Sequence, residues 1–178
     1  MERASASAAP LKEVQTVTPE GERIGPSIDG LVVRELRTLP DERGEVCEPY
    51  RSLWELGDEP VEHAYLATVR PGVVKGWVMH RSQADRIAIL FGAMRWVWYD
   101  ERPESPTTGN VVELTITERN RAIFVTPANV WHAVENVGEA DAAFVNMPSQ
   151  QYNHADPDKY RLPLDNDRIP FRFSSNGK

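Results

Sequence analysis

Short runs of apolar, β-branched and aromatic residues follow one another between about residue 28 and about residue 148, and turn-forming residues separate them. Runs of this length that recur at this spacing are typical of antiparallel sandwiches and barrels, and not of βαβ units. The pattern therefore predicts an all-β fold. The predicted strands span 31–36, 64–69, 73–80, 86–91, 94–99, 111–116, 122–126 and 142–147.

Evidence for helix is weak along the chain. Residues 52–56 and 154–160 can each form a turn of helix, but neither shows a sustained helical period. The 14 prolines fall almost entirely in the predicted loops, where an all-β fold accommodates them. We therefore predict an antiparallel jelly roll with short peripheral helical turns, and we expect a ligand in its mouth.

The first 27 residues differ from the rest, because they are rich in Ala, Ser, Thr, Pro and Gly and hold few large apolar side chains. This composition predicts a mobile N-terminal arm over residues 1–27, or an arm that orders only against a partner. Residues 28–178 are predicted to form one domain, since a chain of 178 residues can bury a single stable core.

The chain carries 20 Lys and Arg against 27 Asp and Glu, which gives a formal net charge of −7. This balance argues against nucleic acid or an anionic membrane as the main partner, because both reward clustered Lys and Arg. No apolar run approaches the roughly 20 residues of a membrane span, and residues 1–10 lack the apolar centre of a secretory signal. The single cysteine, Cys47, excludes an internal disulfide. We expect a cytoplasmic protein.

Two of the four histidines, His80 and His132, fall on strand-like segments, and the residues around them resemble the paired motifs of the cupin superfamily. Pro127, His132 and Asn136 match the second motif. Asn129 stands where that motif has glycine, which is a mild change because Asn tolerates the left-handed backbone conformation better than most residues. The resemblance implies a cupin jelly roll, also called a double-stranded β-helix.

A closer resemblance covers roughly residues 30–172 and rests on several short motifs in one order. The motifs are Asp41-Glu42-Arg43-Gly44, the segment 72–76, Asp100-Glu101-Arg102, the segment 105–109, Asn120-Arg121 and Ile169-Pro170. Their order resembles dTDP-4-dehydrorhamnose 3,5-epimerase, a metal-independent cupin family that acts on deoxythymidine-diphosphate keto sugars. The resemblance implies a homodimer that binds a nucleotide sugar and needs no cofactor. It also implies a base that removes a proton beside a ketone, for which an imidazole oriented by a carboxylate is suited.

The family's catalytic residues are not matched at the corresponding positions. Val78 stands where the family has its catalytic histidine, and Asn146 where it has an acid tyrosine. Asp85 falls on the family's lysine near the sugar, with Arg86 beside it, and the orienting aspartate has no clear counterpart. Because valine cannot accept a proton, we do not expect the unmodified mechanism. We nevertheless expect Asp85, Arg86 and Asn146, which stand at or beside these family positions, to contact the substrate.

Other positions do match the family. The histidine of the second motif is retained as His132, and Arg43 and Lys75 correspond to phosphate contacts. Tyr152 corresponds to a second, downstream tyrosine. The resemblance therefore implies that Arg43, Lys75 and Tyr152 bind the substrate.

A replacement for the missing histidine lies two residues further on. Residues 78 and 80 project to the same face of a strand, so His80 points into the barrel if Val78 does. Related cupins that isomerise dTDP-keto sugars carry a His-x-His pair here, and His80 matches its second member. We predict that His80 and His132 are catalytic and transfer protons on a dTDP-linked 4-keto-6-deoxysugar or a similar carbonyl metabolite.

Two alternatives stay open. His80, Asp85 and His132 have the composition of a two-histidine, one-carboxylate site, which would make the protein a cupin enzyme dependent on a divalent metal ion. The other alternative is a non-catalytic cupin that keeps its pocket for ligand binding, since the family's base, acid and orienting residue are not matched.

Overall fold

Two antiparallel five-stranded sheets and a separate two-stranded hairpin make up the fold of this chain, seen in a computed structural model that describes residues 12–57 and 60–173. The all-β prediction is confirmed. The strands are β1 Val32–Glu35, β2 Thr38–Asp41, β3 Gly44–Cys47, β4 Tyr65–Val69, β5 Val74–Met79, β6 Asp85–Phe91, β7 Met94–Asp100, β8 Val111–Ile116, β9 Ala122–Thr126, β10 Val130–Asn136, β11 Ala142–Asn146 and β12 Tyr160–Arg161.

The first sheet has the order β1-β9-β6-β11-β4, and the second has the order β12-β5-β10-β7-β8. From β4 to β7 and from β8 to β12, successive strands alternate between the two sheets. This alternation gives the jelly-roll topology that the sequence predicts. It also brings the ends of β5, β6 and β10 together at one end of the barrel, where the candidate site lies.

The core lies between the sheets and is rich in aromatic rings. Trp96 and Trp98 of β7 face Phe124 of β9 and Phe144 of β11, with edge-to-face ring centroids 4.7 to 5.2 Å apart. All four are buried, and such pairs stabilise a core beyond their buried area. The indole Nε1 of Trp98 donates to Thr126 Oγ1 at 2.8 Å, which satisfies a polar group that would otherwise be costly to bury.

A second cluster covers the outer face of the second sheet. Trp77, Val97 and Trp131 alternate with the inward-facing positions of their strands and are fully or nearly fully buried. Ile169 and Phe171 of the C-terminal segment pack against them. The C-terminal residues therefore hold the outer surface of the very strands that carry the candidate site on their inner surface.

The loop after β7 is organised around one buried carboxylate. Asp100 is fully buried and accepts hydrogen bonds from Arg102 Nε at 2.8 Å, Ser105 Oγ at 2.6 Å and Thr107 Oγ1 at 2.6 Å. Burial alone would raise the pKa of Asp100, but these hydrogen bonds outweigh it and hold the pKa well below its ordinary value. The segment 100–109 thus has a structural role, since its side chains fix the turn between β7 and β8.

The structure differs from the sequence prediction in several peripheral segments. Residues 38–47 lie outside the strands predicted from the sequence, but they form the β2–β3 hairpin. A 3₁₀ turn over Ser52–Trp54 confirms one predicted helical turn, whereas residues 154–160 contain no helix. The predicted N-terminal arm lies partly outside the described residues. Its described part, 12–27, contacts β8 through Arg23 Nη2, which donates to the Glu113 carbonyl at 3.3 Å.

Candidate active site

A cavity of about 420 Å³ lies between the two sheets at one end of the barrel. Alternate side chains of each strand point into the space between the sheets. Residues of both sheets therefore line the cavity. The lining residues from the first sheet are Tyr65, Ala67, Asp85, Ile87, Phe144 and Asn146; those from the second sheet and its flanks are Val74, Lys75, Gly76, Val78, His80, Trp96, His132, Val134, Lys159 and Arg161.

Three titratable side chains meet in this cavity. His80, at the end of β5, places Nε2 3.2 Å from Asp85 Oδ2, and His132 of β10 places its Nε2 3.5 Å from the same oxygen. The two imidazole centroids are 5.9 Å apart. Asp85 belongs to the first sheet and both histidines lie on the side of the second, so the carboxylate bridges the two walls.

Local backbone geometry places both histidines. Val78 and His80 face the cavity while Trp77 faces outward, as strand alternation predicts. His132 lies opposite Val78 in the β5–β10 pair. The turn before β10 needs a left-handed residue, and Asn129 supplies it with φ of 63°, while its backbone N–H donates to the His80 carbonyl at 2.6 Å.

His80 is held from two sides. Its Nδ1 contacts the backbone carbonyl of Asp158, and its Nε2 contacts Asp85. Both ring nitrogens therefore face hydrogen-bond acceptors, which suits a doubly protonated ring. Burial by itself would lower the pKa of His80, but the hydrogen bond and negative charge of Asp85 outweigh it, so the pKa is raised above its ordinary value.

Asp158 also fixes the loop that follows His80. Its carboxylate accepts hydrogen bonds from the backbone N–H groups of Arg81, Ser82 and Gln83 at 2.9 to 3.1 Å. The same residue thus anchors the loop with its side chain and His80 with its carbonyl group. Nothing in the sequence pattern marks this contact, which joins residues 78 positions apart.

His132 is held more loosely. Its Nδ1 lies 3.3 Å from the Val130 carbonyl, and its Nε2 lies beyond ordinary hydrogen-bond distance of Asp85. Burial lowers the pKa of His132 to about 4, and the nearby charge of His80 lowers it further against the opposing effect of Asp85. His132 is therefore a neutral imidazole at neutral pH, with Nε2 directed towards the cavity cluster.

The carboxylate of Asp85 is supported by two amides. Gln83 Nε2 and Asn146 Nδ2 donate to its Oδ1 at 2.8 and 3.0 Å. These hydrogen bonds, together with the two histidines, keep the pKa of Asp85 well below its usual range although burial opposes this. Because an ionised carboxylate only accepts hydrogen bonds, the orientation of the Asn146 amide is fixed with its nitrogen towards Asp85.

Two buried polar atoms in this region have no hydrogen-bond partner within the part of the chain that the structure describes. They are Oδ1 of Asn146 and Nε1 of Trp96, and both residues line the cavity. A buried acceptor and a buried donor of this kind favour a polar ligand, because leaving them unsatisfied is costly.

Positive charge converges on the cavity from the second sheet. Lys75, Lys159 and Arg161 line it together. The pKa of Lys159 is lowered, first by desolvation and then by the charges of Arg161 and Lys75, while Asp85 opposes the shift. Cations that crowd one another in this way are suited to an anionic ligand.

A second, larger cavity of about 560 Å³, the outer cavity, adjoins the first, and His80 and Tyr65 line both. Tyr152 lines the outer cavity, where its ring packs edge-to-face on His154 at 4.8 Å. Among the predicted site residues, Lys75, His80, Asp85, His132 and Asn146 therefore lie at the inner cavity, and Tyr152 lies at the outer one.

Two residues that the sequence predicts to contact the substrate, Arg86 and Arg43, lie outside both cavities. Arg86 follows Asp85 in β6, so alternation turns its side chain to the other face, where Nε donates to the Leu56 carbonyl at 2.5 Å. Arg43 lies in the β2–β3 turn, 81% exposed, with its guanidinium on the Asp41 carboxylate. Neither lines the inner or the outer cavity of the chain.

The three residues that would bind a metal ion under the alternative hypothesis also lie close together. The ligand atoms of His80, Asp85 and His132 all lie within 4.8 Å of one another. Their chemistry is suited to a divalent transition metal, with one imidazole nitrogen from each histidine and one carboxylate oxygen.

Comparison with known proteins reveals clear similarity. A family model described as dTDP-4-dehydrorhamnose 3,5-epimerase matches residues 26–171. The probable low-salt glycan biosynthesis epimerase Agl13 of Haloferax volcanii is 33% identical over 79% of this chain and 90% of its own length. The spore coat polysaccharide biosynthesis protein SpsL of Bacillus subtilis is 29% identical over 83% of this chain and 97% of its length.

Among solved structures, a dTDP sugar isomerase from Desulfovibrio desulfuricans G20 is similar, with a TM-score of 0.75 and 28% identity over 81% of this chain and 90% of that one. The match confirms the jelly-roll architecture. In the described ranges, no helix has the length and apolar character needed to cross a membrane.

Proposed function

The chain belongs to the dTDP-4-dehydrorhamnose 3,5-epimerase family, and from this premise we propose that its cavity binds a dTDP-linked 4-keto-6-deoxysugar, or a close relative, and moves a proton at the carbon beside the keto group. The enzyme is an isomerase of the epimerase type, and the family is independent of cofactors.

His132 is suited to be the base. It is neutral at neutral pH because burial lowers its pKa to about 4, and its Nε2 is not committed to a short hydrogen bond. Once it accepts a proton, Asp85 at 3.5 Å stabilises the resulting charge. A base should be within reach of the carbon acid and unprotonated at working pH, and His132 meets the second condition while lining the cavity.

His80 is suited to stabilise negative charge rather than to accept a proton. Both of its ring nitrogens are engaged, by Asp158 and by Asp85, and its pKa is raised. A positively charged imidazole in the cavity favours the enolate that forms when the proton leaves. In this reading Asp85 orients both histidines and keeps one of them charged.

Lys75, Lys159 and Arg161 are suited to the diphosphate. They approach the cavity from one side, and their mutual repulsion is relieved when an anion binds between them. Lys75 is a phosphate contact that the sequence already predicts. Lys159 and Arg161 are proposed as cationic contacts in place of Arg43 and Arg86. Tyr152 at the outer cavity and Asn146 at the inner one complete the proposed substrate contacts.

The single observation that carries this proposal is the meeting of His80, Asp85 and His132 inside one cavity. The test is incubation of the EDTA-treated enzyme with a panel of dTDP-4-keto sugars in D₂O, followed by ¹H NMR. Deuterium entry at a carbon beside the ketone supports the proposal. Binding of dTDP without exchange would favour the non-catalytic alternative, and exchange that requires added metal would favour the metal-dependent one.

Two further properties belong to this proposal. We expect a homodimer, as the family resemblance implies, and light scattering of the purified chain tests it. We also expect a cytoplasmic location, since nucleotide sugars are made and used there. The net charge of −7 also disfavours binding to an anionic membrane surface.

A further inference from the structure

The two walls of the cavity differ in the chemistry they offer. Both histidines approach from the second sheet, whose strands β5 and β10 carry them. A substrate between the walls therefore meets both imidazoles on one face. Inversion of a carbon centre requires a proton to leave one face and another to arrive on the opposite face, so a proton donor is needed on the first sheet.

The lining residues of the first sheet offer few donors. Ala67, Ile87 and Phe144 carry no polar group. Asp85 is ionised, and the Asn146 amide holds its protons too tightly to give one up. Among the described residues of this wall, Tyr65 of β4 is the remaining side chain that can release a proton.

The hydrogen bonds of Tyr65 leave that proton available. Tyr65 and Asn146 are directly paired in the β4–β11 register, and Asn146 Nδ2 donates to the Tyr65 hydroxyl oxygen at 2.9 Å. The amide orientation is fixed by Asp85, so Tyr65 is the acceptor in this hydrogen bond. Within the described ranges its own O–H has no recorded acceptor, and it can donate to a molecule in the cavity.

Accessibility allows the donor to be recharged. Tyr65 is 44% exposed and lines the outer cavity as well as the inner one. Burial and the charge of Asp85 raise the pKa of its phenol although the Asn146 contact opposes them, so the group is protonated at neutral pH. A proton given to substrate can therefore be replaced from water at the cavity mouth.

We propose that Tyr65 is the catalytic acid for the face opposite the histidines, which makes the enzyme able to invert a carbon centre. The inference rests on the proposed function. His132 Nε2 takes the proton from the carbon beside the ketone. The electron pair of that C–H bond forms a C=C bond, and the π electron pair of the carbonyl group moves to its oxygen. Tyr65 then gives its proton to the same carbon from the opposite face. The π electron pair of the C=C bond forms the new C–H bond, and the ketone re-forms.

The step ends with His132 protonated and Tyr65 as a phenolate. Water at the mouth returns a proton to Tyr65, and His132 releases one, so no other reactant is needed. His80 keeps both of its protons and supplies positive charge throughout.

The experiment compares two rates in D₂O for wild type, Tyr65→Phe and Tyr50→Phe: deuterium exchange at the reacting carbon, and formation of the inverted product. Tyr50 packs on the outer face of the first sheet and serves as the matched control. In Tyr65→Phe, we expect exchange through His132 to continue while inversion falls about 100-fold or more. Thermal melting and the Kd for dTDP should match wild type, because the aromatic ring is kept and dTDP lacks the keto sugar that Tyr65 would protonate.

Each outcome of this experiment either supports or overturns the role of Tyr65. Unchanged inversion in Tyr65→Phe overturns the inference while leaving the proposed function intact. Equal loss of exchange and inversion also overturns it, because a merely structural role reduces both together. If wild type exchanges no deuterium with any keto sugar of the panel, the proposed function fails and the inference fails with it.

Discussion

His80 and Asp85 form a buried ion pair across the barrel, with Nε2 and Oδ2 3.2 Å apart and side chains 11% and 3% exposed. The pair links the second sheet to the first at the floor of the cavity. The negative charge of Asp85 raises the pKa of His80, and burial leaves His132 as the neutral imidazole of the cluster.

The first prediction concerns that charge. His80→Asn keeps a hydrogen-bonding side chain but removes the positive charge, so we expect kcat to fall about 100-fold or more, as when a group that stabilises an oxyanion is removed. The fold and melting temperature should change little. Steady-state kinetics with circular dichroism measure both, and Arg119→Gln, an exposed position outside both cavities, is the control. Unaltered turnover would remove His80 from the mechanism.

The second prediction concerns pH. His132 must be neutral to act, so kcat/KM should rise as pH increases through about 4, where His132 loses its proton. His80 must be charged, so kcat/KM should fall as pH rises through its pKa, which lies above the ordinary value of about 6.5. The expected profile is a bell, measured over the range in which the protein stays folded. A rate that keeps rising through the alkaline limb would contradict the role given to His80.

The third prediction concerns stability. Asp100→Asn removes the charge that holds Arg102, Ser105 and Thr107, and the free energy of unfolding should drop by about 2–3 kcal/mol at pH 7. The folded pKa of Asp100 is depressed, so its contribution is fully present above the unfolded value of about 3.9 and is lost as pH falls below it. Urea unfolding from pH 3 to 7 tests this, with the exposed Asp141→Asn as control. Equal stability of both variants would contradict it.

The fourth prediction concerns the diphosphate. Lys159→Gln removes one of three converging cations, and we expect the Kd for dTDP to rise about tenfold, which corresponds to about 1.4 kcal/mol. The effect should shrink as salt increases. Calorimetric titration measures the affinity, and Arg119→Gln, an exposed cation outside the cavity, is the control. A Kd equal to that of wild type would show that phosphate binds elsewhere.

The sequence predicted the features that depend on local rules. The alternation of Trp77, Val78 and His80 placed two of these side chains in the barrel and one outside it. The left-handed turn at Asn129 follows from a residue type that tolerates it. The strands, the topology class and the meeting of His80 with His132 all rest on these periodic signals.

Other placements in the structure were not predicted from local pattern, for physical reasons. Asp85 and Arg86 are neighbours on one strand and cannot both face the cavity, so applying alternation to Arg86 would have excluded it. The position of Arg43 depends on a hairpin that the sequence pattern did not indicate. Tyr65 lies on a predicted strand, but its role depends on its register with Asn146, 81 residues away. Long-range pairing of this kind has no local signal.

The central claim is that His132 removes the proton beside the ketone, within a cluster held by Asp85. The most direct measurement is deuterium incorporation at that carbon in D₂O, compared between wild type and His132→Asn at pH 7. We predict steady exchange by wild type and a loss of at least about 100-fold in the variant, with an unchanged Kd for dTDP. Exchange by His132→Asn at the wild-type rate would contradict the account.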